Sequence, residues 1–261
     1  HTESVSCVSV SPDGQTLASG SSDGTVILWA MDKRQPLGDP LAGHEAKIVG
    51  VVFSPDGKTL YSGGRDGTIM AWDVAERQFL GQFLEGHDAG IFHLAIAPDG
   101  ALLASAGSDG SVILWDVAGR QPLGEPLRGH EDWVMQVAFS PDGRILATAS
   151  GDGLIALWQV PAPTAASQFL EPIRRLEGHV GAVYCVSFSP DGETLASLCA
   201  SASVRLWEGA SRRLRGDLRT VDTRTDFREQ SGGGPGLACS PDGKTLAGLG
   251  WDDAVRVWAV A

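Results

Sequence analysis

The sequence predicts an all-β chain: six small, four-stranded antiparallel sheets set around a common axis. Three observations carry that prediction. A Pro-Asp-Gly turn recurs at Pro12, Pro55, Pro98, Pro141, Pro190 and Pro241, spaced by 43 residues at first and by 49 and 51 at the end. A tryptophan follows each turn at one offset: Trp29, Trp72, Trp115, Trp158, Trp207 and Trp258. Short apolar runs, several rich in β-branched residues, fill the intervals. Such periodicity means one supersecondary unit repeated, and each unit must borrow part of its core from its neighbours.

The second copy shows the elements in order. Ile48 to Phe53 is an apolar run that reads as a strand buried on both faces. Ser54-Pro55-Asp56-Gly57 turns the chain, proline presetting φ and glycine taking the positive φ at the exit. Thr59 to Gly63 is a second strand, Asp66-Gly67 a tight hairpin, and Thr68 to Asp73 a third strand. Glu76-Arg77-Gln78 turns again, and Phe79 to Leu84 is a fourth strand. In the first and third copies this last strand carries Pro36, Pro40, Pro122 and Pro126. Proline cannot donate to a ladder, so the fourth strand belongs on the outer edge and the first strand innermost. The units run approximately 1–43, 44–86, 87–129, 130–178, 179–229 and 230–261, within one domain spanning 1–261. The Gly-His segments and Asp-Gly hairpins share one end of each sheet, called the top here, and the Pro-Asp-Gly turns share the other.

Composition narrows the function classes. A formal net charge of −12 argues against a nucleic-acid backbone or an anionic membrane as the main partner. No stretch approaches the ~20 apolar residues of a membrane helix, and no signal-peptide pattern precedes the first unit. The chain opens with His1 in mid-repeat, which predicts a piece of a longer protein. The arginines 205, 212, 213, 215, 219, 224 and 228 read as a solvated outer strand and loop, or else as a docking site for an acidic partner. Cys7, Cys185, Cys199 and Cys239 form neither a CxxC pair nor a Cys/His zinc spacing and fit a reducing compartment. The Asp-Gly turns lack calcium-loop spacing, and Gly232-Gly233-Gly234 has no following Lys-Ser/Thr, so no metal or cofactor is expected.

The pattern Gly-His, Ser-Pro-Asp-Gly starting ten positions after the histidine, then Leu-Ala-Ser-Gly-Ser-x-Asp-Gly-Thr-Val-x-Leu-Trp resembles the WD40 repeat over nearly the whole chain. The resemblance implies a β-propeller and a non-catalytic scaffold or sensor that binds a protein or peptide. The segments Leu37 to His44 and Leu123 to His130 look like those of bacterial WD40 arrays, which implies a cytoplasmic signalling protein with further domains fused to this one. The last unit ends at its third strand. The ring therefore either closes on a three-stranded sheet or belongs to a larger ring, of seven.

Each good copy aligns a histidine, a strand hydroxyl, an aspartate and a tryptophan: His1, Ser19, Asp23, Trp29; His44, Ser62, Asp66, Trp72; His87, Ser105, Asp109, Trp115; His130, Thr148, Asp152, Trp158. Ser, His and Asp together suggest a hydrolase triad. A protein needs no four copies of one nucleophile, however, and no nucleophile elbow frames these serines. A chain from Asp through His and Ser to Trp satisfies every buried polar atom, so a structural tetrad is the better reading. The fifth unit keeps His179, Ser197 and Trp207 but has Ser201 for the aspartate. The sixth has Asp252 and Trp258, with Gln230 and Gly248 at the other two positions, and follows an inserted stretch, Thr220 to Gly236, that reads as a mobile loop.

Recognition is expected on the top face and at the channel mouth. The third and fifth residues after each histidine, and the residue before each hairpin aspartate, should point there. These positions vary between copies and include Lys47, Arg65, Phe92, Trp133, Met135, Tyr184 and Trp251. Aromatics and arginine are typical interface hot spots, though inner-strand aromatics also fill channel walls. The competing functions are a propeller hydrolase or lyase with its site at the channel mouth, and a structural spacer.

Overall fold

A computed structural model describes residues 1–83, 86–161, 171–201, 203–208, 213–219, 236–249 and 254–260. Among them are six antiparallel sheets and no helix. The inner strands are Val5–Val10, Ile48–Phe53, Ile91–Ile96, Val134–Phe139, Val183–Phe188 and Gly236–Cys239. Each pairs with a second strand and that with a third, so every sheet is a meander. The sixth has three strands.

The outer strand departs in detail from the expectation. In the first sheet it is split into Gln35–Pro36 and Leu41–Ala42, both paired with the third strand. In the third sheet Gln121–Pro122 is followed by a lone bridge from Leu127 to Val112. Both breaks fall at Leu-Gly-x-Pro, where glycine takes a φ near 79° and proline withholds a donor. Without those residues the second unit's outer strand runs unbroken over Gln78–Phe83.

The core lies between sheets. Ala18, Val26 and Leu28 of the first sheet pack with Ile48, Val51 and Phe53 of the second. Tyr61, Ile69 and Ala71 meet Ile91 and Leu94, and Ala147, Ile155 and Leu157 meet Val183 and Val186. The third strand of one sheet thus faces the inner strand of the next, and this one contact recurs around the axis. The Pro-Asp-Gly turns close the bottom. At the second, Ser54 Oγ donates to Asp56 Oδ1 (2.6 Å) and accepts from Thr59 N (3.0 Å), while Gly57 sits at φ 70°. The Ser54 hydroxyl, with help from Lys58 N–H, holds the exposed Asp56 carboxyl below its ordinary range.

Candidate functional site: a locked framework under a variable top face

The histidine of each good unit lies on the loop entering an inner strand, and the aspartate on the hairpin beside it. In the second unit His44 Nδ1 lies 2.9 Å from Asp66 Oδ2, and Nε2 lies 2.8 Å from Ser62 Oγ. Trp72 Nε1 donates to the same hydroxyl at 2.8 Å. With Nδ1 donating to the carboxylate, Nε2 accepts the serine proton and the serine oxygen accepts the indole N–H. The first, third and fourth units repeat this, with histidine-to-hydroxyl distances of 2.7 Å and indole-to-hydroxyl distances of 2.8, 2.8 and 3.1 Å. Asp23, Asp109 and Asp152 lie 3.3, 3.2 and 2.9 Å from the respective imidazoles.

Each carboxylate also accepts the backbone N–H of the residue after the histidine: Thr2, Glu45, Asp88 or Glu131. The incoming loop is thereby tied to the hairpin. Burial pushes Asp23 up, but the Thr25 hydroxyl and the Thr2 and Thr25 N–H groups outweigh it and bring it down to about 2. Asp66, Asp109 and Asp152 move downward for the same kind of reason, burial being overcome by hydroxyl, backbone and imidazole donors. The serine hydroxyls are buried with proton and lone pair both engaged. That is the environment of an anchor, and it leaves no room for an attacking nucleophile.

The fifth unit solves the missing aspartate differently. His179 Nε2 still meets Ser197 Oγ at 2.6 Å, and Trp207 Nε1 the same oxygen at 2.8 Å. In units two and three the residue two places before the aspartate is Gly64 or Gly107, where a side chain would collide with the carboxylate. Unit five has Ser201 in place of the hairpin aspartate, and Cys199 stands two places before it. Its sulfur lies 3.1 and 3.2 Å from the hydroxyls of Ser201 and Ser203. Among the described residues Nδ1 of His179 has no oxygen or nitrogen partner. Burial pushes the Cys199 thiol up, but the His179 imidazole and the two serine hydroxyls outweigh it and bring it down to about 6. The other three thiols move upward through burial, Cys7 to about 11 and Cys185 to about 12.

The framework places the variable positions. A β-bulge opens each of the first five inner strands at the fifth residue after the histidine, so Ser6, Val49, Phe92, Met135 and Tyr184 stand unpaired. A bulge re-aims a side chain, and here it does so at one level in five successive sheets. The other two sets are tied together. The N–H before each hairpin aspartate donates to the carbonyl of the third residue after the histidine: Ser22 to Ser4, Arg65 to Lys47, Ser108 to Gly90, Gly151 to Trp133 and Ala200 to Ala182, all at 2.8–3.0 Å.

Three of the seven predicted partner-binding residues form one continuous stack. The Arg65 guanidinium lies 3.7 Å over the Phe92 ring, and Phe92 lies 5.5 Å from the Trp133 ring at 31°. Trp133 remains 48% exposed. Lys47, Met135 and Tyr184 are half-buried around the same level and are not part of the stack. Trp251 lies outside the described residues, as do Asp252, Gln230 and the inserted stretch from Thr220 through Pro235, expected to be mobile.

One feature escaped the sequence reading. The sixth residue after each histidine is Cys7, Gly50, His93, Gln136 or Cys185, and it sits at the seam between inner strands. Gln136 Oε1 accepts Val186 N–H at 2.7 Å, which turns its amide nitrogen toward His93 Nε2 at 3.4 Å. His93 then carries its proton on Nδ1, which is buried and meets no acceptor among the described residues. This belt crosses three sheets in the wall of a cavity of about 440 Å³ that also touches Val10, Phe53, Phe139 and Phe188.

Burial pulls His93 from its ordinary 6.5 down to about 4. The folded ring stays neutral where the unfolded ring takes up a proton. Its contribution to stability is therefore complete above pH 6.5 and falls as the pH drops from there to about 4. Denaturant midpoints measured from pH 7 to pH 4.5 should fall less steeply for His93→Gln than for the native chain. Parallel profiles would contradict the assignment.

Comparison with known proteins settles the family. The profile described as "WD domain, G-beta repeat" matches residues 1–30, 35–73, 78–116, 120–159, 170–208 and 235–259. The chain belongs to the WD40-repeat family. Its sheets are the blades of a WD40 β-propeller, and the polar quartets are their internal locks. The Notchless protein homolog of Arabidopsis thaliana is 60% identical to it over 37 residues, which is 14% of this chain and 8% of that protein. This WD40 chain thus spans far less than two thirds of that relative's length. Among the described residues no helix is long and apolar enough to cross a membrane.

Proposed function

We propose that this WD40 chain is a non-catalytic scaffold or sensor module that binds a protein or peptide on its top face, as part of a larger signalling protein with covalently fused domains. The observation that carries the reading is the Arg65–Phe92–Trp133 stack. It crosses three blades, joins a hairpin, a bulge and a strand-entry position that the framework fixes, and presents a half-exposed indole. A rigid, pre-ordered aromatic loses little entropy when a partner covers it, so it suits a binding anchor. The acidic chain favours protein over nucleic acid or anionic membrane as the partner.

Selection of a random peptide library on the native chain supplies the ligands for the test. Selected peptides should lose about tenfold or more in affinity for Trp133→Ala, the ~1.4 kcal/mol or more expected of a hot spot. The melting temperature should stay within about 3 °C of native, because little buried surface is removed. Peptides that bind both proteins equally well would place recognition elsewhere.

A further inference from the structure

The interface between the fourth and fifth blades is packed differently from its neighbours. At the interfaces before and after it, a valine two places after the tryptophan joins the same core cluster as the indole: Val74, Val117, Val160 and Val260. The cluster between blades four and five has Trp207 but no such valine, and the sequence puts Gly209 at that place, with no side chain to give. A cavity of about 310 Å³ stands here. Ile145, Leu157 and Leu176 of the fourth blade and Phe188, Leu195 and Trp207 of the fifth form its apolar walls. Trp207 is held by its bond to Ser197 at 2.8 Å, so the indole cannot swing in to close the gap.

The mouth of this cavity carries one sign of charge. The exposed Asp142, Asp191, Glu193 and Glu208 line it, and no lysine or arginine does so among the described residues. The Ser140 hydroxyl, with Arg144 adding from outside the cavity, holds Asp142 below its ordinary range. The Ser189 hydroxyl, with Arg215 adding in the same way, does so for Asp191. Both are therefore ionised at neutral pH. Glu193 reverses the sign usual at its position: the counterparts after the other Pro-Asp-Gly turns are Gln15, Lys58, Ala101, Arg144 and Lys244.

We propose that this cavity binds a small organic ammonium ion, its aromatic or branched alkyl body between Trp207 and Leu157 and its positive charge among the four carboxylates. The volume lies at the low end of small-molecule sites, about 300–1,000 Å³. An apolar body entering it covers six apolar side chains that the missing valine leaves short of contacts. An anion would meet four like charges and no cation on the lining. The site sits at the Pro-Asp-Gly end of the ring, opposite Trp133, and does not depend on recognition at the top face.

Tryptamine, tryptophol and indole-3-acetate share one ring and differ in charge, and isothermal titration of each into the full chain ranks them. Tryptamine should bind with a Kd below about 1 mM, tryptophol about fivefold more weakly, and indole-3-acetate more weakly still. Glu193→Lys installs the residue that two other units carry in the same turn. It should weaken tryptamine about tenfold and leave the melting temperature within about 2 °C of native. Gly209→Val restores the side chain that four other units have. It should remove binding of all three probes and raise the melting temperature by about 2 °C or more. Trp133→Ala, at the other end of the ring, should leave tryptamine binding unchanged. Three results would overturn the proposal. None of the probes binds. All three bind alike, so that charge is not read. Or Trp133→Ala abolishes tryptamine binding while Glu193→Lys and Gly209→Val leave it intact, which would put the cation on the top face.

Discussion

Trp115→Ala should cost about 3–5 kcal/mol, the range for emptying a core aromatic site. The side chain is fully buried among Tyr61, Ile69, Ile91, Leu103 and Ile113, at the junction of the second and third blades. Its edge also lies beneath Gly86, where a β-carbon would come within 2.9 Å of the ring. Truncation therefore leaves a cavity that rigid strands on both sides cannot fill, and it strips Ser105 of its indole donor. The loss is a large fraction of the ~5–15 kcal/mol that holds an ordinary domain together. Trp115→Phe separates the two effects. It keeps most of the volume but not the N–H, and should cost about 1–2 kcal/mol. Thermal melts read by circular dichroism order the three proteins. Equal melting of Trp115→Ala and native protein would refute the anchor role.

His44→Phe should cost about 3 kcal/mol, although it conserves a buried ring of similar size. The imidazole is completely enclosed, and it links Asp66 to Ser62. A phenyl ring leaves the carboxylate and the hydroxyl each short of a partner in a site with little access to water, and each such group costs about 1–3 kcal/mol. Packing is nearly unchanged, so this substitution isolates the polar contribution to the lock. Hydrogen exchange should show the loss first in the 44–66 loop and hairpin, whose backbone the carboxylate ties down. A variant as stable as native would mean that shape, and not hydrogen bonding, holds the blade.

The framework was legible because it is written several times. Four copies of one His, hydroxyl, Asp, Trp spacing specify a contact that a single copy would leave ambiguous. The strand order followed from the same repetition together with the edge prolines. What the sequence hid lies between units. Whether His93 meets Gln136, 43 residues on, depends on which side of the bulge each falls. That shift moves a side chain from the channel to the seam between sheets. The stack of Arg65 on Phe92 on Trp133 needed the same knowledge: all three residues were singled out by register, but not their order. The Cys199 exchange was hidden for another reason. The cysteine does not align with the aspartate it stands in for. It stands two residues before Ser201, with its sulfur 3.1 Å from the Ser201 hydroxyl.

Exchange of the indole N–H protons tests the central claim most directly, because that claim is that a repeated buried lock frees the top face to vary. Trp29, Trp72, Trp115, Trp158 and Trp207 each donate to a strand hydroxyl, and their indole protons should exchange slowly in deuterated buffer. The exposed Trp133 indole proton should vanish within the dead time. Rapid exchange at all six would contradict the account.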